Sequence, residues 1–165
     1  MKLIVFAFML LISVTDVSAQ YNGQNTELRR MSNDFVSTTV SDGVSNNEAV
    51  DFSITRDTLV IHCSNWVSGE TEKNEFVYLC PVKSIGDIEL KTSENEGSNV
   101  NMINITSNSG LPDFIFKFGS VVSVKQEMAR GVSEDDVTVY VTITLPVIAD
   151  TTKYENLRDV LVSLK

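Results

Sequence analysis

The sequence predicts a mainly β protein: an antiparallel bent sheet or partly open barrel of about 7–8 strands, ended by one C-terminal amphipathic helix. Three observations carry this. From Gln20 onward there are 19 valines against 9 leucines and 3 alanines. Valine is stiff at χ1 and packs well on a pleated surface, whereas alanine and leucine lead the helix formers. Several segments alternate apolar and polar residues with period 2, and the last segment switches to helical spacing.

The chain has 165 residues. Met1–Lys2 precede an unbroken apolar run from Leu3 to Ile12, and Val17-Ser18-Ala19 then offer small residues for a cut. This is the order of a secretory signal, so residues 1–19 are predicted to be removed and the protein to be secreted or periplasmic. Ten apolar residues are too few for a membrane span, which needs about 20.

Residues 20–47 read as a polar leader. Leu28, Met31 and Phe35 fall at i, i+3 and i+7, which allows a short helix, and a flexible segment fits equally. Phe35 to Val40 suits one strand, and Ser41-Asp42-Gly43 through Asn47 a turn or loop. The β-rich domain is expected over 48–165. Val50, Phe52 and Ile54 alternate with Asp51, Ser53 and Thr55, and Leu59, Ile61, Cys63 and Val67 share one face of the next strand. After a polar loop, Phe76, Tyr78, Cys80 and Val82 alternate again.

A hairpin placing Cys63 opposite Cys80 also places Ile61 opposite Val82 and Val67 opposite Phe76. The sequence therefore predicts a Cys63–Cys80 disulfide, which an oxidising compartment favours and which loop entropy values at about 3 kcal/mol. Pro81 lacks a donor, so its strand is expected at an edge or a bulge.

Ile85, Ile88 and Leu90 mark a short strand, Ser93 to Asn99 a polar loop, and Val100 to Thr106 another strand. Phe114, Phe116 and Phe118 give a strand with an aromatic face, which Val121 to Val124 continues past Gly119. Gln126 to Asp136 reads as a polar connection. Val137 to Thr144 is the longest cleanly alternating run. At the end, Thr152 and Glu155 have capping-box spacing, and Tyr154, Leu157, Leu161 and Leu164 form one face of a helix over 152–164.

No motif carries chemistry. The single histidine, His62, lies mid-strand with no nucleophile and orienting carboxylate assigned to it. One histidine and a bonded cysteine pair leave too few ligands for a zinc site, and the acidic runs Glu94–Glu96 and Glu134–Asp136 lack calcium-loop spacing. Asn104-Ile105-Thr106 fits the glycosylation triplet, relevant only in a eukaryotic secretory pathway. The net charge of −9 excludes a phosphate-gripping nucleic-acid binder. Trp66, Tyr78 and Tyr140 either form a sugar- or peptide-binding platform or fill the core.

The long strand Val137 to Leu145 followed by helix 152–164 resembles the end of a pleckstrin-homology-like domain, and the short signal with a small β-rich body is similar to small secreted proteins of Gram-negative bacteria. The resemblance covers roughly residues 48–165 and implies a bent sheet plugged by the final helix. Its lipid-binding loop would correspond to Gly69–Asn74, which is net acidic here, so that activity is not carried over. A lipocalin-like barrel is the runner-up fold, without the Gly-x-Trp of that family, and a β-sandwich stands third, with the C-terminal helix counting against it.

The expected function is that of an exported, non-enzymatic binding or interaction module with no cofactor or metal, no nucleic-acid partner and no membrane span. Its partner would be an unknown protein or small-molecule ligand. The alternatives are a carrier holding an apolar ligand among Phe114, Phe116 and Val139, and a carboxylate-dependent hydrolase.

Overall fold

The computed structural model describes residues 21–32, 35–95, 98–130, 138–146 and 151–165. The predicted signal and the run Glu134–Asp136 lie outside these. Among the described residues are three α-helices and nine strands: α1 Asn22–Met31, β1 Val36–Ser41, β2 Val44–Thr55, β3 Thr58–Val67, β4 Asn74–Pro81, β5 Ile85–Asn95, β6 Ser98–Ser107, β7 Phe114–Phe118, α2 Val121–Arg130, β8 Thr138–Tyr140, β9 Thr142–Pro146 and α3 Thr151–Val162.

The strands form two antiparallel sheets, in the orders β1-β2-β3-β4-β7-β8 and β5-β6-β9. The first has five strands plus the three-residue β8. This corrects the expectation of one sheet or barrel with a single helix, and the sheets do not close into the lipocalin-like barrel. Three links join them, one of them the connection from β6 to β7 through residues 108–113. Pro81 leads through a 3-10 turn at Val82–Ser84 into β5, and β8 passes into β9 across Val141, whose carbonyl accepts from the Ser107 N–H at 2.8 Å. The single strand expected over 137–144 is thus split between sheets. Alternation reports which face a residue takes, not which neighbour its backbone meets.

The core lies between the sheets. Phe52, Ile54, Leu59 and Ile61 of the first sheet face Ile103, Ile105, Ile143 and Leu145 of the second. Leu28 and Met31 of α1 and Leu157, Leu161 and Leu164 of α3 complete it. The segment preceding Glu48 therefore contributes to the same core. The helical face predicted for 152–164 is buried as expected: Tyr154, Leu157, Leu161 and Leu164 are all inside. Thr152 sits within the first turn, because the helix already includes Thr151. A smaller cluster of Val60, Val77 and Val124 lies on the opposite face of the first sheet, beneath α2.

Helix α2 replaces the strand expected at Val121 to Val124 and part of the connection expected after it. Gly119, at φ 113°, ends β7. The Ser120 hydroxyl then accepts the Ser123 N–H at 3.3 Å, an N-cap bond that starts a helix. The loop expected at Ser93 to Asn99 is mostly strand, with β5 and β6 paired as far as Asn95 and Ser98. Backbone pairing needs no apolar side chain, which is why hydropathy did not show it. The β1–β2 loop likewise shrinks to Asp42-Gly43, both at positive φ, the geometry of a two-residue hairpin turn.

The disulfide expectation is corrected: both cysteines are free thiols, and both are buried. In the β3–β4 register Cys63 faces Phe76, and Cys80 faces Leu59. The thiols share a face but sit four residues apart along it, about 13 Å at strand rise. A disulfide needs its Cα atoms within about 7 Å. A slip of four residues keeps every side chain on its face, so the apolar pattern was equally compatible with both registers. The expectation for Pro81 is corrected too. Strand β4 lies inside the sheet, but β7 pairs only with Phe76 to Leu79, so the donor missing at Pro81 is not required there.

Candidate functional site

Alternation along β4 and β7 places aromatic residues on the core-side face of the first sheet. Register then brings Phe76 opposite Phe118, Tyr78 opposite Phe116, and Phe114 opposite Tyr140 of β8. Phe116 is the hub, with its ring centroid 5.6 Å from Phe76, 5.3 Å from Tyr78, 4.9 Å from Phe118 and 6.0 Å from Tyr140. Tyr78 also meets Tyr140 at 6.1 Å. Three of these five contacts are edge-to-face, an arrangement aromatic quadrupoles prefer, and two are tilted.

Phe114 is fully buried and Tyr140, opposite it, is 39% exposed, while Phe118 at the other end of the ladder is 78% exposed. Along β7 the ladder therefore runs from the buried core at Phe114 to the surface at Phe118.

Beside the ladder is an apolar cleft of about 100 Å³, whose wall includes Val50, Cys63, Phe76, Tyr78 and Leu145, with Glu48 also among its lining residues. Phe76 and Tyr78 belong to both features, so cleft and ladder form one continuous surface. The residues expected to hold an apolar ligand, Phe114, Phe116 and Val139, do not line this cleft. Phe114 is packed in the core, and Val139 is 44% exposed.

Cys63 is the only thiol in the cleft wall. Burial, followed by the negative charges of Asp51 and Glu48, pushes it up to about 12. It stays protonated at neutral pH and offers no thiolate nucleophile. Burial pushes the Cys80 thiol up as well, and the Tyr78 phenol also shifts upward, chiefly through burial.

Of the platform considered from sequence, Tyr78 and Tyr140 come together and Trp66 does not join them. Trp66 lies on the opposite face of β3, with Lys73 Nζ 4.5 Å from its ring. It borders a polar hollow of about 450 Å³ that includes Asn46, Asn65, Glu70 and Glu72. Phe116, expected from the sequence only as a wall of an apolar-ligand cavity, is instead the hub of the aromatic ladder. The signal was available in Phe114-x-Phe116-x-Phe118, but only the register with β4 and β8 shows that these rings meet Tyr78 and Tyr140.

His62 sits on the sheet face away from the cleft. Asp51 is directly across the β2–β3 pair, with its Oδ2 3.7 Å from Nδ1, and Glu75 Oε1 is 3.2 Å from Nε2. Asp51 first, and Glu75 beside it, favour the protonated ring, so its pKa is raised above 6.5 despite partial burial. The raised folded value means that this contribution to stability is complete below the unfolded pKa and disappears as pH rises through the folded one. His62→Gln is expected to cost about 1 kcal/mol at pH 5 and close to nothing at pH 9, as a partly exposed pair should. Urea unfolding at the two pH values measures this, and an equal cost at both would show that packing, not charge, matters at this position.

Among the described residues no group of three or more His, Cys, Asp or Glu is arranged to hold a metal ion, and no helix is long and apolar enough to cross a membrane. Asp113, which accepts hydrogen bonds from Ser107 at 2.8 Å and Ser109 at 2.7 Å, ties together the turn before β7. Comparison with protein families, with curated proteins and with solved structures gives no match.

Proposed function

We propose that this chain is an exported, non-enzymatic interaction module that recognises a polypeptide segment through the cleft and the aromatic ladder beside it. The observation that carries this reading is the size of the cleft. At about 100 Å³ it falls below the roughly 300–1,000 Å³ typical of pockets that enclose a small ligand. It suits a single apolar side chain, the anchor of a protein contact. The partly exposed rings of Tyr78, Phe116 and Tyr140 and the largely exposed ring of Phe118 then supply the surrounding contact area at low entropy cost.

Glu48 at the cleft and the net charge of −9 favour a segment that carries Lys or Arg near its apolar anchor. The same volume weighs against the alternative of an apolar-ligand carrier. The antiparallel strands with a docked final helix support the pleckstrin-homology-like order as a reading of the fold, with the division into two sheets, α1, α2 and the additional strands as departures from it.

Selection from a random peptide display library tests the proposal. Enriched peptides should share an apolar residue flanked by basic ones. Tyr78→Ala should weaken their binding at least about tenfold, as removal of an aromatic hot spot does, with the circular dichroism spectrum retained. Saturable one-to-one binding of a fatty-acid probe, together with peptides indifferent to Tyr78→Ala, would favour the carrier reading and end this one.

A further inference from the structure

We propose that the free edge of β1 pairs with the same edge of a second copy of the chain, joining two six-stranded sheets into one. Among the described residues, strand β1 ends its sheet and has β2 as its only neighbour. The Val50 N–H donates to the Phe35 carbonyl at 3.1 Å, and Val36 pairs with Ala49. In an antiparallel ladder the hydrogen-bonding residues alternate, so the backbone groups at 37, 39 and 41 face β2 and those at 36, 38 and 40 face the open side.

The edge is not protected. Val36–Ser41 contains no charge, proline or glycine, although exposed edges normally carry such devices. Val36 is 50% and Val40 70% exposed, and both lie on the same face.

The edge is self-complementary about Thr38. A two-fold axis there sets Val36 opposite Val40 of the second copy, Thr38 opposite Thr38, and Val40 opposite Val36. All three are outward-facing positions, so each pair exchanges both of its hydrogen bonds, and the exposed valines meet across the strands. An axis between two residues would set outward positions against inward ones and make none of these bonds. An axis on Ser37 or Thr39 would satisfy fewer of them within the strand. A strand from another protein could use the same edge, but the second copy is the occupant whose valine spacing this chain itself supplies.

Such an edge contact buries less than the roughly 1,200 Å² of a standard interface, so the association should be weak, with a Kd of tens of micromolar or more. Because each copy carries −9, added salt should strengthen it.

Sedimentation equilibrium of the purified chain from about 1 to 500 μM, in a range suited to a weak interface, should show mass rising from one copy to two. Residue-resolved hydrogen exchange by NMR should show the amides of Val36, Thr38 and Val40 gaining protection with concentration. Those of Ser37 and Thr39 should be protected throughout. Val40→Lys changes an exposed side chain, so it should leave the fold intact and weaken association at least tenfold. A chain that stays monomeric over the whole range, a dimer whose Val36, Thr38 and Val40 amides stay fast, or one unaffected by Val40→Lys would each overturn the proposal.

Discussion

Leu161→Ala is expected to lower the unfolding free energy by about 2–5 kcal/mol, the range for truncating a fully buried leucine. Leu161 has no exposed surface and lies on α3 with Leu157, Leu164 and Tyr154. That helix packs on β5 and α1, and the Tyr154 hydroxyl donates to the Lys91 carbonyl at 3.3 Å. Alanine is itself a good helix former, so the loss comes from packing, not propensity. Domains are stable by only about 5–15 kcal/mol, so this one change removes a large share of the total. Urea unfolding against the exposed control Val162→Ala, expected to change stability by less than about 0.5 kcal/mol, measures it. A loss at Leu161 no larger than at the control would mean that α3 does not dock on the core.

Gly86→Ala is expected to cost about 1–3 kcal/mol, the usual range for forcing extra volume into a packed site. Gly86 lies where the β5–β6 register shifts between Ile85 and Ile88. A Cβ there would stand 2.8 Å from the backbone of Asn108 and 2.9 Å from the Thr106 carbonyl oxygen. Neither neighbour is the free end of a side chain, so the strand itself must move. The same change at Gly23, in α1 with nothing within 4 Å of the added carbon, should be neutral or stabilising by up to about 1 kcal/mol. Thermal unfolding of the two variants side by side should give opposite or clearly unequal shifts. Equal shifts would show that the bulge accommodates a side chain.

These two positions differ in how far the sequence anticipates them. Leu161 is legible: spacing of i, i+3, i+7 and i+10 among Tyr154, Leu157, Leu161 and Leu164 defines a helical stripe, and a short helix holds only by docking that stripe. Gly86 is not. Its role depends on Asn108, twenty-two residues away and brought close by the bulge. Helix α2 was missed for a local reason: Val121-Val122-Ser123-Val124 is β-prone by composition, while the Ser120 cap and the break at Gly119 decide in favour of the helix.

The candidate site divides in the same way. Alternation alone put Phe76 with Tyr78, and Phe114 with Phe116 and Phe118, on single faces. Which rings touch depends on β4 pairing with β7 and β7 with β8, and the connections between those strands carry no pattern that selects one pairing. The cysteines make the point most sharply. Faces repeat every two residues, so a register with Cys63 opposite Cys80 and one with Cys63 opposite Phe76 look alike to hydropathy. Only the structure chooses the second, leaving two buried thiols.

The sequence by itself determined that this chain is dominated by antiparallel strands, that a C-terminal helix buries Tyr154, Leu157, Leu161 and Leu164, and that most strand residues take the faces they do. Those features follow from local periodicity, which needs no knowledge of distant residues. The tertiary structure alone decided the division into two sheets, the break at Val141, the free state of the thiols, the cleft below Tyr78 and Phe76, and the open edge of β1. Each of these depends on which backbone pairs with which across long sequence separations, and pairing partners leave no periodic trace in the chain.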